Sequence, residues 1–250
     1  MTLQDFFRQN PKTALAFSGG VDSAYLLWAA RRYGKQVRAY YVNSAFQPDF
    51  ELEDARRLAG ELGAELRVLD LDVLADPAIA ANPPERCYHC KKRIFTALAR
   101  AAEEDGFPLL ADGTNASDAA GDRPGMRALR ELSVRSPLRE CGLTKGEIRR
   151  LSRDAGLFTW DKPAYACLAT RIPTGEPITA ADLERTETAE DYLFSLGFTD
   201  FRVRLLRGCA RIQLPPPELP RLAEHREEIY NTLRRYYDGV LLDLEVRHEQ

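Results

Sequence analysis

One junction near the start of the chain constrains the fold more than anything else. Lys12-Thr-Ala-Leu-Ala-Phe17 reads as a buried strand, Ser18-Gly19-Gly20-Val21-Asp22-Ser23 follows without a spacer, and Val21–Tyr33 carries a helical pattern. A strand handed through glycines straight into a helix is the first half of a βαβ unit. The alternation repeats. Gln36–Val42, Glu65–Leu71 and Leu109–Asp112 read as strands, and Leu52–Leu62 and Lys91–Glu104 as helices. The expectation is an α/β domain, a parallel sheet with helices on both faces.

Within the junction, the glycines let backbone approach a ligand, and the unpaired N–H groups of the helix start carry about half a positive charge. Ser18 and Ser23 add hydroxyl donors, so Ser18, Gly19, Gly20, Val21, Asp22 and Ser23 are candidates for holding phosphate. The Walker A spacing and its Lys are absent. A second candidate segment, Asp112-Gly113-Thr114-Asn115, follows a predicted strand at the edge where ligands sit in open α/β sheets. Asp22 and Asp118 are the natural carboxylates for Mg²⁺.

Beyond about residue 160 the pattern changes. Residues 161–178, with KPAYACLATRIPTGEP at their centre, hold three prolines and a glycine and read as a linker or active loop. Residues 179–250 read as a small α+β domain: helix Thr179–Leu196, strands Asp200–Leu206 and Ala210–Leu214, helix Leu219–Tyr237 and strand Val240–Val246. Thr144–Glu147 is a capping box that opens a helix through Ala155.

The five cysteines are an odd number, which argues against a disulfide framework. Cys87-Tyr-His-Cys90 opens the Lys91 helix, where a helix N-terminus and the neighbours Arg86, Lys91 and Lys92 favour thiolate chemistry. Alone, C-x-x-C fits half of a zinc site equally well, but no second C-x-x-C exists. With one further cysteine it would give three thiolates, one short of closing an iron–sulfur cluster. Spacing does not choose among Cys141, Cys167 and Cys209. Cys141 and Cys209 read as small buried hydrophobes.

Other function classes recede on composition. The longest apolar run, Ala24–Ala30, has seven residues where a span needs about 20, so no membrane helix is expected. MTLQDFFRQNPK lacks the features of a secretory signal, and a cytoplasmic protein is expected. The net charge of -3 argues against a general nucleic-acid surface.

The hexapeptide Ser18–Ser23 resembles the PP-loop of the ATP pyrophosphatases (adenine nucleotide alpha hydrolase-like), which load AMP onto a substrate oxygen and release pyrophosphate. From Phe17 to about Leu214 the chain also resembles the LarE family, the ATP-dependent sulfur transferases of nickel-pincer cofactor synthesis. NPPERCYHCKKRIF, ADGTNASDAAGDRPG, RSPLRECGLTKGEIRRL and TWDKPAYACLATRIP carry that likeness. The resemblance implies adenylation and then thiolation of pyridinium-3,5-biscarboxylic acid mononucleotide, with ATP and Mg²⁺. It makes Cys167, in Ala166-Cys-Leu-Ala-Thr-Arg171, the sulfur-handling residue. It further implies a 4Fe-4S cluster on Cys87, Cys90 and Cys167, with sacrifice of the Cys167 sulfur as the alternative.

Nucleotide contacts from Gly113, Thr114 and Asn115 and substrate-phosphate contacts from Arg202 and Arg204 belong to the same implication. So do Glu190 as an acidic metal ligand, a loop at Asp122-Arg123-Pro124-Gly125 ordering over substrate, and assembly as a homo-hexamer. Two rivals stand beside it: an iron–sulfur PP-loop enzyme of tRNA 2-thiolation, and a nucleotide-binding protein without chemistry.

Overall fold

A computed structural model describes residues 1–118 and 124–246. The chain forms two compact units, Met1–Val73 with Glu85–Lys162, and Leu74–Pro84 with residues 163–250.

In chain order the elements of the first part are α1 (Leu3–Gln9), β1 (Lys12–Ala16), α2 (Val21–Tyr33), β2 (Gln36–Asn43), α3 (Asp49–Glu61) and β3 (Glu65–Asp70). The short α4 (Pro77–Ala80) belongs to the second unit. Then come α5 (Arg86–Glu104), β4 (Leu110–Ala111), α6 (Pro124–Glu131), α7 (Pro137–Glu140) and α8 (Lys145–Asp154). The second unit continues with α9 (Ala180–Ser195), β5 (Arg202–Leu206), β6 (Cys209–Gln213), α10 (Leu219–Glu224), α11 (Arg226–Leu233) and β7 (Val240–Leu242).

The first unit is the expected PP-loop α/β fold. Its four strands are parallel in the order β3-β2-β1-β4. Alternation along the strands divides the core. Leu15, Ala39 and Tyr41 face a cluster that includes Phe6 and Phe7 of α1, Leu26 and Leu27 of α2, and Leu58 of α3. Ala14, Tyr40 and Val42 face Phe95 and Leu98 of α5 and Leu129 of α6. Successive side chains thus serve opposite layers, and helices cover both faces. Because β2 and β4 flank β1 on opposite sides, the topological switch point falls between β1 and β4, where such sheets open a ligand crevice beyond the strands' carboxyl ends.

The second unit has the sheet order β5-β6-β7, antiparallel then parallel, closed by Leu193 of α9, Ile229 and Leu233 of α11, and Phe198 and Phe201 of the segment between α9 and β5. The helix read over Leu219–Tyr237 is broken into α10 and α11 at His225. Leu74–Pro84, read with the first domain in the sequence, groups with the second. Asn82 explains why: its side chain donates to the carbonyls of Pro173 (2.8 Å) and Glu176 (3.0 Å), and its own carbonyl accepts from the Gly175 N–H at 2.8 Å. Among the described residues no helix is long and apolar enough to cross a membrane.

Candidate active site

The β1–α2 turn adopts a phosphate-cradling conformation. Gly19 has φ +73°, and a Cβ there would lie 3.2 Å from the Glu51 carbonyl oxygen and 3.3 Å from the Ala55 nitrogen, so only glycine fits. Gly20 caps α2 without a side-chain bond, which leaves the first N–H groups of the helix for a ligand. Ser23 ties the loop together: its Oγ accepts from the Ser18 N–H at 3.3 Å and donates to the Gly20 carbonyl at 3.1 Å.

A cavity of about 330 Å³ opens at this turn. Ser18, Gly20, Asp22 and Ser23 line it from one side, Gly113, Thr114 and Asp118 from the segment after β4. The two predicted segments therefore meet at the switch point. Gly113 passes so close that an added Cβ would sit 3.0 Å from the Ser23 nitrogen. Asn115 is buried and serves the turn itself, its Oδ1 accepting from the Ser117 N–H at 2.8 Å and its N–H donating to Asp118 at 2.8 Å.

The carboxylates divide by role. Asp112 is occupied, accepting from Thr114 and, at 2.6 Å, from the Ser136 hydroxyl. Asp22 bonds Lys145 at 2.5 Å through one oxygen, while its Oδ1 is buried with no hydrogen-bond partner among the described residues. Burial pushes the Asp22 carboxyl up, Lys145 opposes this, and Asp118 adds to it. A pair of carboxylates facing a phosphate cavity, one with an orphaned oxygen, suits a hard divalent cation.

The far wall belongs to α5. Lys91, Ile94, Phe95 and Leu98 line the cavity at helical spacing. Cys87 stands one turn before Lys91 on that same face, and Cys90 flanks it. The C-x-x-C and the cavity thus share one helix. Cys87 is exposed and Cys90 half-buried, and the Arg86 guanidinium lies 3.6 Å from the Cys87 sulfur.

Cys167 belongs to the second unit, half-buried at the N-cap of a 3₁₀ turn over Leu168–Arg171. The other residues expected there already have hydrogen-bond partners within the unit. Glu190 is buried, and its carboxylate accepts from Arg171 (2.8 and 3.0 Å), from Tyr165, and from the Val203 N–H at 2.8 Å. A metal would have to displace a guanidinium from it. Arg202 is buried, stacks on Tyr165 and donates to the Phe201 and Ala164 carbonyls. Arg204 is half-buried and donates to the Thr170 carbonyl at 2.8 Å. Desolvation, with Arg171 and Arg211 nearby, pulls its pKa below the usual arginine range, the condition of a cation suited to an added anion.

Among the described residues no three His, Cys, Asp or Glu side chains form a metal-binding group. Of the loop read at 122–125, Asp122 and Arg123 lie outside the described residues, while Pro124 and Gly125 open α6. Cys141 and Cys209, read as small buried hydrophobes, are half-buried, and Cys141 packs against the core of the first unit. Sequence reasoning missed Lys91 as a cavity residue and Lys145 as the partner of Asp22. Lys91 adjoined a motif read only for its thiols, and Lys145 followed a Thr legible only as a helix cap.

A phosphate cradle at the switch point of a parallel sheet defines a nucleotide-using enzyme of the PP-loop class. A family profile described as "Queuosine biosynthesis protein QueC" matches residues 12–82. A pyridinium-3,5-bisthiocarboxylic acid mononucleotide synthase of Lactiplantibacillus plantarum is 36% identical, the match covering 97% of this chain and 89% of the relative. The chain belongs to that synthase's family, LarE, and is an ATP-dependent sulfurtransferase. An uncharacterised protein of Synechocystis sp. is 37% identical, over 97% of this chain and 92% of its own length. A tRNA-specific 2-thiouridylase MnmA of Methylobacterium sp. is 32% identical, over 62% of this chain and 50% of its length.

Proposed function

We propose that the protein thiolates the carboxylates of pyridinium-3,5-biscarboxylic acid mononucleotide, in the cytoplasm, for synthesis of a nickel-pincer cofactor. One observation carries the reading: α5 lines the nucleotide cavity with Lys91, Ile94, Phe95 and Leu98 and bears Cys87 one turn before Lys91 on the same face.

A substrate carboxylate attacks the α-phosphate of ATP, forming an acyl-adenylate and releasing pyrophosphate. Hydrosulfide then adds at the acyl carbon, AMP leaves with the carbon–oxygen bond electrons, and the thiocarboxylic acid gives up its proton. The α2 N-terminus, Gly19 and Gly20 hold the phosphates, Ser18 and Ser23 shape the loop, and Lys91 faces the charge that builds during transfer. Asp22 and Asp118 would hold Mg²⁺, which supplies charge neutralisation. The Glu190 carboxylate accepts four hydrogen bonds, two at each oxygen, and is assigned to structure. Arg204 is assigned to the substrate phosphate.

Cys87, Cys90 and Cys167 would hold a 4Fe-4S cluster. Soft thiolates at accessible positions fit iron, and a cluster held by three of them leaves one iron open to a sulfide ligand. Assembly with further copies of the chain is supported by the exposed edge residues Leu241, Leu242 and Leu244.

Anaerobic purification with iron and sulfide analysis, followed by one turnover with ATP, Mg²⁺ and the mononucleotide, tests this. Expected are bound iron and sulfide, mononucleotide-dependent pyrophosphate release and an unchanged polypeptide mass. A loss of about 34 Da (H₂S) at Cys167 replaces cluster delivery by sacrifice. Pyrophosphate release with no acceptor but tRNA overturns the substrate assignment.

A further inference from the structure

We infer that the buried Arg171–Glu190 pair is a positioning device that fixes the backbone on both sides of Cys167 and so aims its thiol. The inference rests on Cys167 handling sulfur in the function proposed above.

The two side chains are 0% and 1% exposed. A fully buried ion pair is weak evidence for stability, because desolvation offsets most of the attraction and a packed apolar pair often serves a core as well. Its geometry points to another role. Glu190 holds one edge of the guanidinium through Nε and Nη2, at 2.8 and 3.0 Å. Tyr165 and the Val203 N–H fix the carboxylate in turn. This anchors Arg171 to α9 and β5.

The third nitrogen, Nη1, points back into the turn. It donates to the Ala166 carbonyl at 2.9 Å and to the Thr170 hydroxyl at 2.8 Å, and reaches the Cys167 carbonyl at 3.5 Å. Thr170 donates both its N–H and its hydroxyl to that Cys167 carbonyl, each at 2.9 Å. The Ala166 carbonyl lies in the peptide plane before the Cys167 Cα, and the Cys167 carbonyl in the plane after it. Planar peptides leave only φ and ψ between them, so tying both planes to one guanidinium fixes φ at −52° and ψ at 147° and hence the Cα–Cβ direction. Buried Leu168 and Ala169 plug the turn into the core. Sulfur must meet an acyl carbon at about 3–3.5 Å, where a misplacement of about 1 Å can cost about 100-fold.

Lysine in place of Arg171 keeps the charge opposite Glu190 but has no planar fork to reach both partners. Thr170→Val removes only the local tie and covers the case in which Arg171→Lys fails to fold. The first readout is peptide-resolved iodoacetamide alkylation of the cluster-free chain, with Cys209 of the same unit as internal reference. The second compares pyrophosphate release with thiocarboxylate formation.

Expected for folded variants is a Cys167/Cys209 alkylation ratio shifted by about threefold or more. Thiocarboxylate formation should fall about 10- to 100-fold while pyrophosphate release stays within about twofold. An unchanged alkylation ratio in cooperatively melting variants, or parallel loss of both half-reactions, overturns the inference. If the wild-type chain releases no pyrophosphate with the mononucleotide, the functional reading fails, and the alkylation ratio still decides whether the pair fixes Cys167.

Discussion

Asp22→Asn separates function from stability. The Asp22 and Lys145 side chains are 23% and 27% exposed, so their ion pair contributes only about 0–1 kcal/mol. Against it stands burial, the largest influence on this carboxyl, which raises its pKa above 3.8. A raised carboxyl pKa means that the charged form is less at home in the folded chain than in the unfolded one. Its contribution therefore declines as pH rises through the folded pKa, and at neutral pH the charge is a net cost. Asparagine keeps the shape and removes the charge. The expected change in the ligand-free protein lies between about zero and 1 kcal/mol of stabilisation, a Tm shift of about 0 to +4 °C for a chain of this size. Losing a ligand to Mg²⁺ should meanwhile lower pyrophosphate release by about two to three orders of magnitude. Differential scanning calorimetry without ligands and a coupled pyrophosphate assay read the two effects. A Tm lowered by several degrees would show that the charge is structural, and undiminished pyrophosphate release would remove Asp22 from the phosphate site.

Three further outcomes are expected. Gly113→Ala places a Cβ 3.0 Å from the Ser23 nitrogen; overpacking of this kind costs about 1–3 kcal/mol, roughly 2–12 °C in Tm, and should raise the KM for ATP. An unchanged melt would mean that the strand ends part freely. Tyr40, Arg67 and Arg38 hold the Asp105 carboxyl at about 2, so its stabilising contribution is present above the unfolded pKa of 3.8 and lost as pH falls toward 2. The stability gap between wild type and Asp105→Asn in urea should shrink across that window, and a gap that widens contradicts the assignment. Arg204→Ala should raise the KM for the mononucleotide roughly 10- to 100-fold, the scale of one charged hydrogen bond, and that for ATP far less. Equal losses for both ligands count against its placement at the substrate phosphate.

The sequence by itself determined the layered first unit and its cradle, because both are written in short-range chemistry. Alternating strand residues and helical spacing are local periodicities, and the Gly19 turn depends on a backbone conformation closed to residues with a Cβ. The capping box at Thr144 is present as read, again a matter of neighbours. What lay across long stretches of chain was not legible. Lys145 reaches Asp22 from 123 positions away, and its own neighbourhood shows only a helix start. The resemblance marked Arg202 and Glu190 as ligand residues; in the fold Arg202 donates to the Phe201 and Ala164 carbonyls, and the Glu190 carboxylate accepts from Arg171 and from the Val203 N–H. Asn82 ties Leu74–Pro84 to the second unit through carbonyls 91 and 94 positions later, a pairing that no local pattern announces. Whether a charge is free for a ligand or already satisfied depends on which groups the folded chain brings within hydrogen-bond reach, and only the tertiary structure decides that.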